Sequence, residues 1–262
     1  MKHDFVLKKT GSNEGLPVKK AAGYSALLVG ATGLIGKALL GQLLRDPLAR
    51  EVTVLSRRPI EAKGLGTAGE LAKLKVIVAD LDGMDQALGQ VTADAVFCTL
   101  GTTIKIAKTR EAFRKVDYEY PLMLARFAER TGASLFSVVT AMGAASNSSV
   151  FYSRVKGELQ DALALLRIPV IQVFQPSLLL GERAAARPGE VFGAIVSKGL
   201  QFAMIGPLRK YRPIKGADVA IAMIRAAGNA LAGNAAATVS KTPAMHYYPS
   251  DKIADLAVHT TG

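Results

Sequence analysis

Cysteine is nearly absent from this chain: Cys98 is the single one among 262 residues. A lone thiol cannot close an internal disulfide, so packing must hold the fold, and a reducing compartment is the natural setting. Cys98 lies in the apolar run DAVFCT, where it should pack as a small hydrophobe. Histidine is almost as scarce. His3, His246 and His259 show no ligand spacing and stand far from the motifs below, so no metal site is expected. Tryptophan is missing and aromatics make up 6% of residues, while half are hydrophobic, which calls for a Val/Leu/Ala core of strands and helices. No apolar run approaches the roughly 18 residues that suggest a membrane span. The opening MKHDFVLKKTGSNEGLPVKK also lacks the apolar stretch of a signal peptide. These absences predict a soluble, cytoplasmic protein without membrane contact.

Acidic residues are outnumbered, 21 against 33 basic ones, for a formal charge of +12. The excess is spread: Lys8, Lys9, Lys19 and Lys20 lie near the start, Arg57 and Arg58 follow an apolar run, and only LRKYRPIK (Leu208 to Lys215) is compact. Nucleic acid is therefore not the expected partner. A solvated surface or an anionic small ligand fits the distribution better.

The first 20 residues are polar and aperiodic and read as a loose arm. From 21 to 262 a single domain is expected, with 176–262 forming a small lobe on the substrate side. Apolar runs alternate with helix-period segments: ALLVGA, EVTVLS, KVIVAD, DAVFCT, SLFSVVT and PVIQVF are strands, with helices such as LIGKALLGQLL and EAFRKVDYEYPLMLARFAER between them. Strands this uniformly apolar have no wet face, so the fold class is α/β, a doubly wound parallel sheet covered on both sides. GADVAIAMIRAAGNAL should be a helix ending near Gly228 or Gly233, and AATVS a late strand.

The segment ALLVGATGLIGKALL puts Gly30, Gly33 and Gly36 between the first strand and the first helix. The first glycine permits the tight turn, the second lets a pyrophosphate approach the backbone, and the third lets helix and strand pack closely. Thr32, Leu34 and Ile35 complete a turn whose free amides, at the positive end of the helix dipole, suit phosphate. About 20 residues further on, an NAD-binding fold presents an acid to the ribose hydroxyls, whereas an Arg accommodates a 2′-phosphate. Here stand Ser56, Arg57 and Arg58, and no acid. The chemistry favours NADP(H) over NAD(H). Asp80, with Leu81 beside it, either accepts from an adenine amino group or forms a turn. Leu100, Gly101, Thr102 and Thr103 in CTLGTT offer a flat backbone and hydroxyls toward a ribose or nicotinamide.

Tyr152 and Lys156 in FYSRVKGEL share one helix face, so a phenol and an ammonium point into one cleft. A nearby cation favours the ionised phenol and eases proton exchange. A carbonyl reductase needs such an acid while hydride arrives from a nicotinamide. Lys156 would also reach the ribose. Thr140, ending SLFSVVT, supplies a hydroxyl for the substrate oxygen. Met142 and Phe151 either shape the pocket or only pack. Arg183, Arg187, Arg209, Lys210 and Arg212 either recognise an anionic group on a substrate or are exposed loop charges.

Taken together, GATGLIG, FCTLGTT, EAFRKVDYEYP, VVTAMGA, FYSRVKGEL and PSLLLGER resemble the short-chain dehydrogenase/reductase superfamily, and within it the atypical branch containing the Tat-interacting oxidoreductase-like proteins. The likeness covers roughly residues 25–230. It implies a Rossmann-type sheet, a nicotinamide cofactor and catalytic roles for Thr140, Tyr152 and Lys156, but no particular substrate. Two departures stand out. Gln175 occupies the place of an expected Arg, and Asp117 falls near the Asn that completes the catalytic set in many members, so it needs a different hydrogen-bond partner. The leading expectation is an NADP(H)-dependent oxidoreductase, monomeric or homodimeric. The alternatives are an NADPH-binding regulator acting through a protein partner, and an epimerase or isomerase.

Overall fold

The computed structural model describes residues 23–61, 63–180, 206–234 and 243–258. The arm, AATVS, Arg183, Arg187, His3 and His259 lie outside the described residues. The strands are β1 (Tyr24–Val29), β2 (Ala49–Ser56), β3 (Leu74–Val78), β4 (Ala95–Cys98), β5 (Leu135–Val139), β6 (Val170–Gln175), β7 (Leu179–Leu180), β8 (Ile214–Lys215) and β9 (Ala244–Pro249). The α-helices are α1 (Leu34–Arg45), α2 (Ala68–Leu71), α3 (Met84–Leu88), α4 (Ile104–Ala107), α5 (Arg110–Arg114), α6 (Tyr120–Arg130), α7 (Phe151–Leu163), α8 (Gly216–Asn234) and α9 (Ser250–Val258).

Seven strands form one parallel sheet in the order β3-β2-β1-β4-β5-β6-β9, and β7 and β8 make a separate parallel pair. Side chains alternate across each strand, and this splits the core in two. Leu28 and Phe97 pack with Leu39 and Leu43 of α1, Met223 of α8 and Ile253 of α9. Leu27 and Val96 face the other way, onto Met84 of α3, Leu124 and Phe127 of α6 and Leu159 of α7. Each such leucine removed from water contributes about 1.5–3 kcal/mol, so both faces are sealed by the same hydrophobic term. The expected doubly wound α/β sheet is present.

The edges differ from the reading of the sequence. β3 is an outer strand of the sheet, with Val76 37% and Val78 52% exposed. At the opposite edge β9, AMHYYP, pairs in parallel with β6, and Tyr248 stacks on Phe174 at 4.7 Å. Its mixed polarity hides it from a search for apolar runs, since an edge strand is only partly buried. α8 runs through Gly228 to Asn234, near the later of its two expected ends.

The segment EAFRKVDYEYPLMLARFAER is not one regular helix. α5 passes into α6 through a π-helical turn, Lys115–Glu119, that carries Asp117. Pro121 lies just beyond it, within the first turn of α6. It has no N–H for the Asp117 carbonyl four residues earlier, and its ring crowds that carbonyl; a widened turn relieves both problems.

Sheet order fixes where a ligand belongs. The chain runs outward from β1 to β3 and then returns to β4 on the other side of β1, so a crevice opens at the carboxyl ends of β1 and β4. The glycine turn follows β1 and CTLGTT follows β4, so the two segments flank it.

Candidate active site

The glycine turn is a cradle closed to side chains. Gly30 has φ +97°, a left-handed conformation that favours glycine. A methyl on Gly36 would overlap the Gly30 carbonyl oxygen and lie 2.6 Å from Thr99 Oγ1. Gly33 N-caps α1 without offering a side chain, and its own N–H donates to Gly30 O at 3.0 Å. The first-turn amides of α1 therefore have neither intrahelical acceptors nor a capping oxygen, which suits a phosphate. Gly36→Ala is expected to lower stability by roughly 1–3 kcal/mol and to weaken dinucleotide binding, checked by thermal melting and nucleotide titration. Unchanged affinity would remove the cradle from the site.

A cleft of about 450 Å³ opens there, and it brings Thr32, Gly33, Leu34 and Ile35 together with Leu100, Gly101 and Thr102, and with Thr140, Tyr152 and Lys156. Residues far apart in sequence thus converge on one space. Tyr152 is half-buried, its ring held 5.6 Å from that of Phe113.

Lys156 is 3% exposed and Asp117 0%. The lysine Nζ lies 2.7 Å from Asp117 Oδ1, and the Thr102 N–H donates to Asp117 Oδ2 at 2.9 Å. Burial alone would push the ammonium down; Asp117 first, then Tyr152 and Cys98, more than offset it, and Lys156 is shifted up and stays charged. The partner that an Asp needs at position 117 is Lys156. The π turn aims it there.

Thr140 is buried and stands at the end of β5. Gln160 Nε2 donates to its Oγ1 at 2.9 Å, and the hydroxyl is 3.4 Å from the Phe174 carbonyl oxygen. Gln175 Nε2 reaches Gln160 Oε1 at 3.3 Å. Where an arginine was expected, an amide therefore extends a neutral chain to the Thr140 oxygen.

Protein HTATIP2 of Rattus norvegicus is 32% identical over 174 residues, 65% of this chain and 69% of that protein. Protein FMP52, mitochondrial, of Meyerozyma guilliermondii is 31% identical over 161 residues, 62% of this chain and 67% of that protein. The family model for NAD(P)H-binding proteins matches residues 30–165, just over half of the chain. The chain belongs to the atypical short-chain dehydrogenase/reductase family. Solved structures show the shared fold. Bordetella bronchiseptica WbmH in complex with NAD+ aligns with TM-score 0.59 and 14% identity, covering 87% of this chain and 76% of that one. WbmG from the same organism, in complex with NAD and UDP, gives 0.52 and 16%, covering 70% of this chain and 62% of that one.

Other residues singled out in this short-chain dehydrogenase/reductase stand apart from the cleft lining. β1 and β2 are in register at Val29 and Leu55, which sets Ser56 beside Gly30 at the far end of the crevice. Ser56 is buried and its Oγ accepts the Arg58 N–H at 3.3 Å, while Arg57 and Arg58 are exposed. Asp80 accepts the Asp82 N–H at 3.0 Å and caps a turn, and Leu81 packs in the core. Thr103 caps α4, accepting from Ile106 N at 3.3 Å. Phe151 packs on Phe113, and the Met142 N–H donates to Pro176 O at 3.0 Å. Arg209 pairs with Asp255 at 2.7 Å, and Lys210 lies over the Tyr211 ring. Cys98 is buried, and burial pushes its thiol up to about 12.

Two side chains in this family member were not singled out in the sequence. Lys37 lines the cleft one position after Gly36, where a basic residue in the first turn of α1 was the available signal. Gln160 continues the spacing of Tyr152 and Lys156 by another four residues, on the same helical face.

Proposed function

We propose that this protein is an NADP(H)-dependent oxidoreductase that reduces a carbonyl, or oxidises the corresponding alcohol, of a small substrate. The observation that carries the reading is the meeting, in one cleft, of the Tyr152 phenol, the buried Lys156 ammonium and the Thr140 hydroxyl with an uncapped glycine turn. A bound nicotinamide supplies the hydride. Tyr152 gives its proton to the oxygen that gains charge, Thr140 holds that oxygen, and Lys156 orients the ribose. The first-turn amides of α1 and Lys37 would hold the pyrophosphate. On the substrate side, Leu179 lines the cleft. An unpaired, buried Cys98 suits a reducing compartment, and a cytoplasmic location belongs to the proposal, although the fungal relative is named as mitochondrial.

The preference for the 2′-phosphate rests on Ser56, Arg57 and Arg58. Replacing Arg57 and Arg58 together by Ala is expected to weaken NADPH binding about tenfold or more and to leave NADH affinity nearly unchanged, since charge-assisted bonds are worth about 1.5–3 kcal/mol each. The reaction is tested by following NADPH absorbance with a panel of aldehydes and ketones. Consumption with at least one carbonyl supports the proposal. Tight NADPH binding without consumption across the panel would replace it with a cofactor-sensing role. Product formed without net cofactor oxidation would point to an epimerase or isomerase.

A further inference from the structure

Around its polar centre the cleft is aliphatic, and its apolar side chains come from separate elements. Ile106 belongs to α4, Leu179 to β7, Leu100 follows β4 and Val139 ends β5. Ile106 is 56% exposed. A lone exposed isoleucine is ordinary, but one that shares a cleft with three more aliphatic side chains is surface for an apolar ligand.

Both outer walls are fastened. α4 has only four residues, yet Thr103 Oγ1 accepts the Ile106 N–H at its start, and the Lys108 N–H donates to the Ile104 carbonyl at 2.8 Å at its end. Lys108 has φ +69°, the one positive value outside glycine among the described residues. Such a backbone is uncommon and clusters at ligand sites; here it stops α4 after a single turn, directly beyond Ile106. β7 pairs with β8, the Ile214 N–H donating to the Leu178 carbonyl at 2.9 Å, and the preceding Ser177 Oγ lies 2.9 Å from Ser250 Oγ.

Charge is balanced at the same end. Among the described residues the charged side chains lining the cleft are Lys37, Asp117 and Lys156. Asp117 and Lys156 close on each other at 2.7 Å, and Lys37 stands in the first turn of α1, on the phosphate side. Behind Thr140 come Gln160 and then Gln175, two amides. A carboxylate or phosphate brought to Thr140 would give up water without gaining a cation from these residues.

We propose that the reacting end of the cleft selects an uncharged carbonyl compound with an apolar chain or ring, and that Ile106 and Leu179 are its specificity-determining residues. The carbonyl rests on the oxidoreductase reading; the apolar chain rests on the walls alone. Tyr152 and Thr140 supply the few polar groups that fix the oxygen, and the aliphatic side chains receive the remainder, the usual division in a small-molecule site.

The test is a chain-length series. With NADPH present, kcat/KM is expected to rise about two- to fourfold per added methylene from butanal to octanal, and 4-carboxybenzaldehyde should fall at least about tenfold below benzaldehyde. In the double variant Ile106→Ser/Leu179→Ser, octanal should lose about tenfold or more while butanal changes by less than about threefold. Neither residue belongs to the proton-transfer or phosphate-binding set, so NADPH affinity should stay near that of the parent. If the double variant does not fold, the series on the parent protein still decides. A flat series, or a preference for the carboxylated aldehyde, overturns the inference. If no carbonyl is consumed, the oxidoreductase reading falls, and calorimetry without turnover decides the rest: 1-octanol should bind the NADP+-loaded protein at least about tenfold more tightly than ethanol or octanoate. Equal binding of the three, or tighter binding of octanoate, overturns it.

Discussion

Tyr152→Phe is expected to reduce carbonyl turnover by about 10²–10⁴-fold, the range that a positioned general acid contributes. NADPH affinity should stay close to that of the parent protein. The substitution keeps the ring that packs 5.6 Å from Phe113 and leaves the Asp117 and Lys156 pair in place, so the cleft keeps its shape. The glycine turn, which would hold the phosphates, lies on other elements. Steady-state kinetics beside a fluorescence titration of NADPH separate the two effects. A variant that turns over at the parent rate would show that the proton comes from elsewhere, and a collapse in affinity would mean that the phenol serves binding instead.

The second large effect is expected at Gly157, which touches no part of the cleft. α7 lies directly against the loop after β5: the Ala145 N–H donates to the Ser153 carbonyl at 3.1 Å. A methyl on Gly157 would sit 2.5 Å from Ala145 Cα and overlap the neighbouring peptide. Backbone cannot rotate away as a side-chain tip can, so the helix must move outward and carry Tyr152 and Lys156 with it. Gly157→Ala should lower stability by about 1–3 kcal/mol, seen as a lower melting temperature. It should also cost about 10²-fold in kcat, because a shift near 1 Å from the reacting position has that consequence. Retention of full activity would mean that the loop yields and that α7 is not fixed by this contact.

Much of this was legible in the sequence. The central strands are short apolar runs bounded by turns, and the glycine spacing, the Thr140 strand end and the Tyr152/Lys156 pair are local patterns that survive folding unchanged. The edges were less legible. AMHYYP carries no apolar alternation because an outer strand answers to one neighbour and to water, and Val76 and Val78 look like core residues until their place on the outermost strand is seen. The role of Asp117 was hidden for another reason. Its spacing from Lys156 is 39 positions, the contact depends on two elements crossing, and the π turn that delivers it leaves no mark in hydrophobic periodicity. Gln175 reads as a lost charge in sequence and becomes a link to Gln160 only once β6 and α7 are side by side.

The widened turn between α5 and α6 ties the electrical character of the pocket to a ring that never enters it. Pro121 is buried and contributes no group to the chemistry, yet it obstructs the regular helical pitch at the residue that carries the counter-charge. Were the helix free to tighten, each residue of register recovered would swing that carboxylate by about 100° around the axis. Replacement of that single imino acid would therefore displace the counter-ion of Lys156 while leaving Tyr152, Lys156 and Thr140 themselves unaltered.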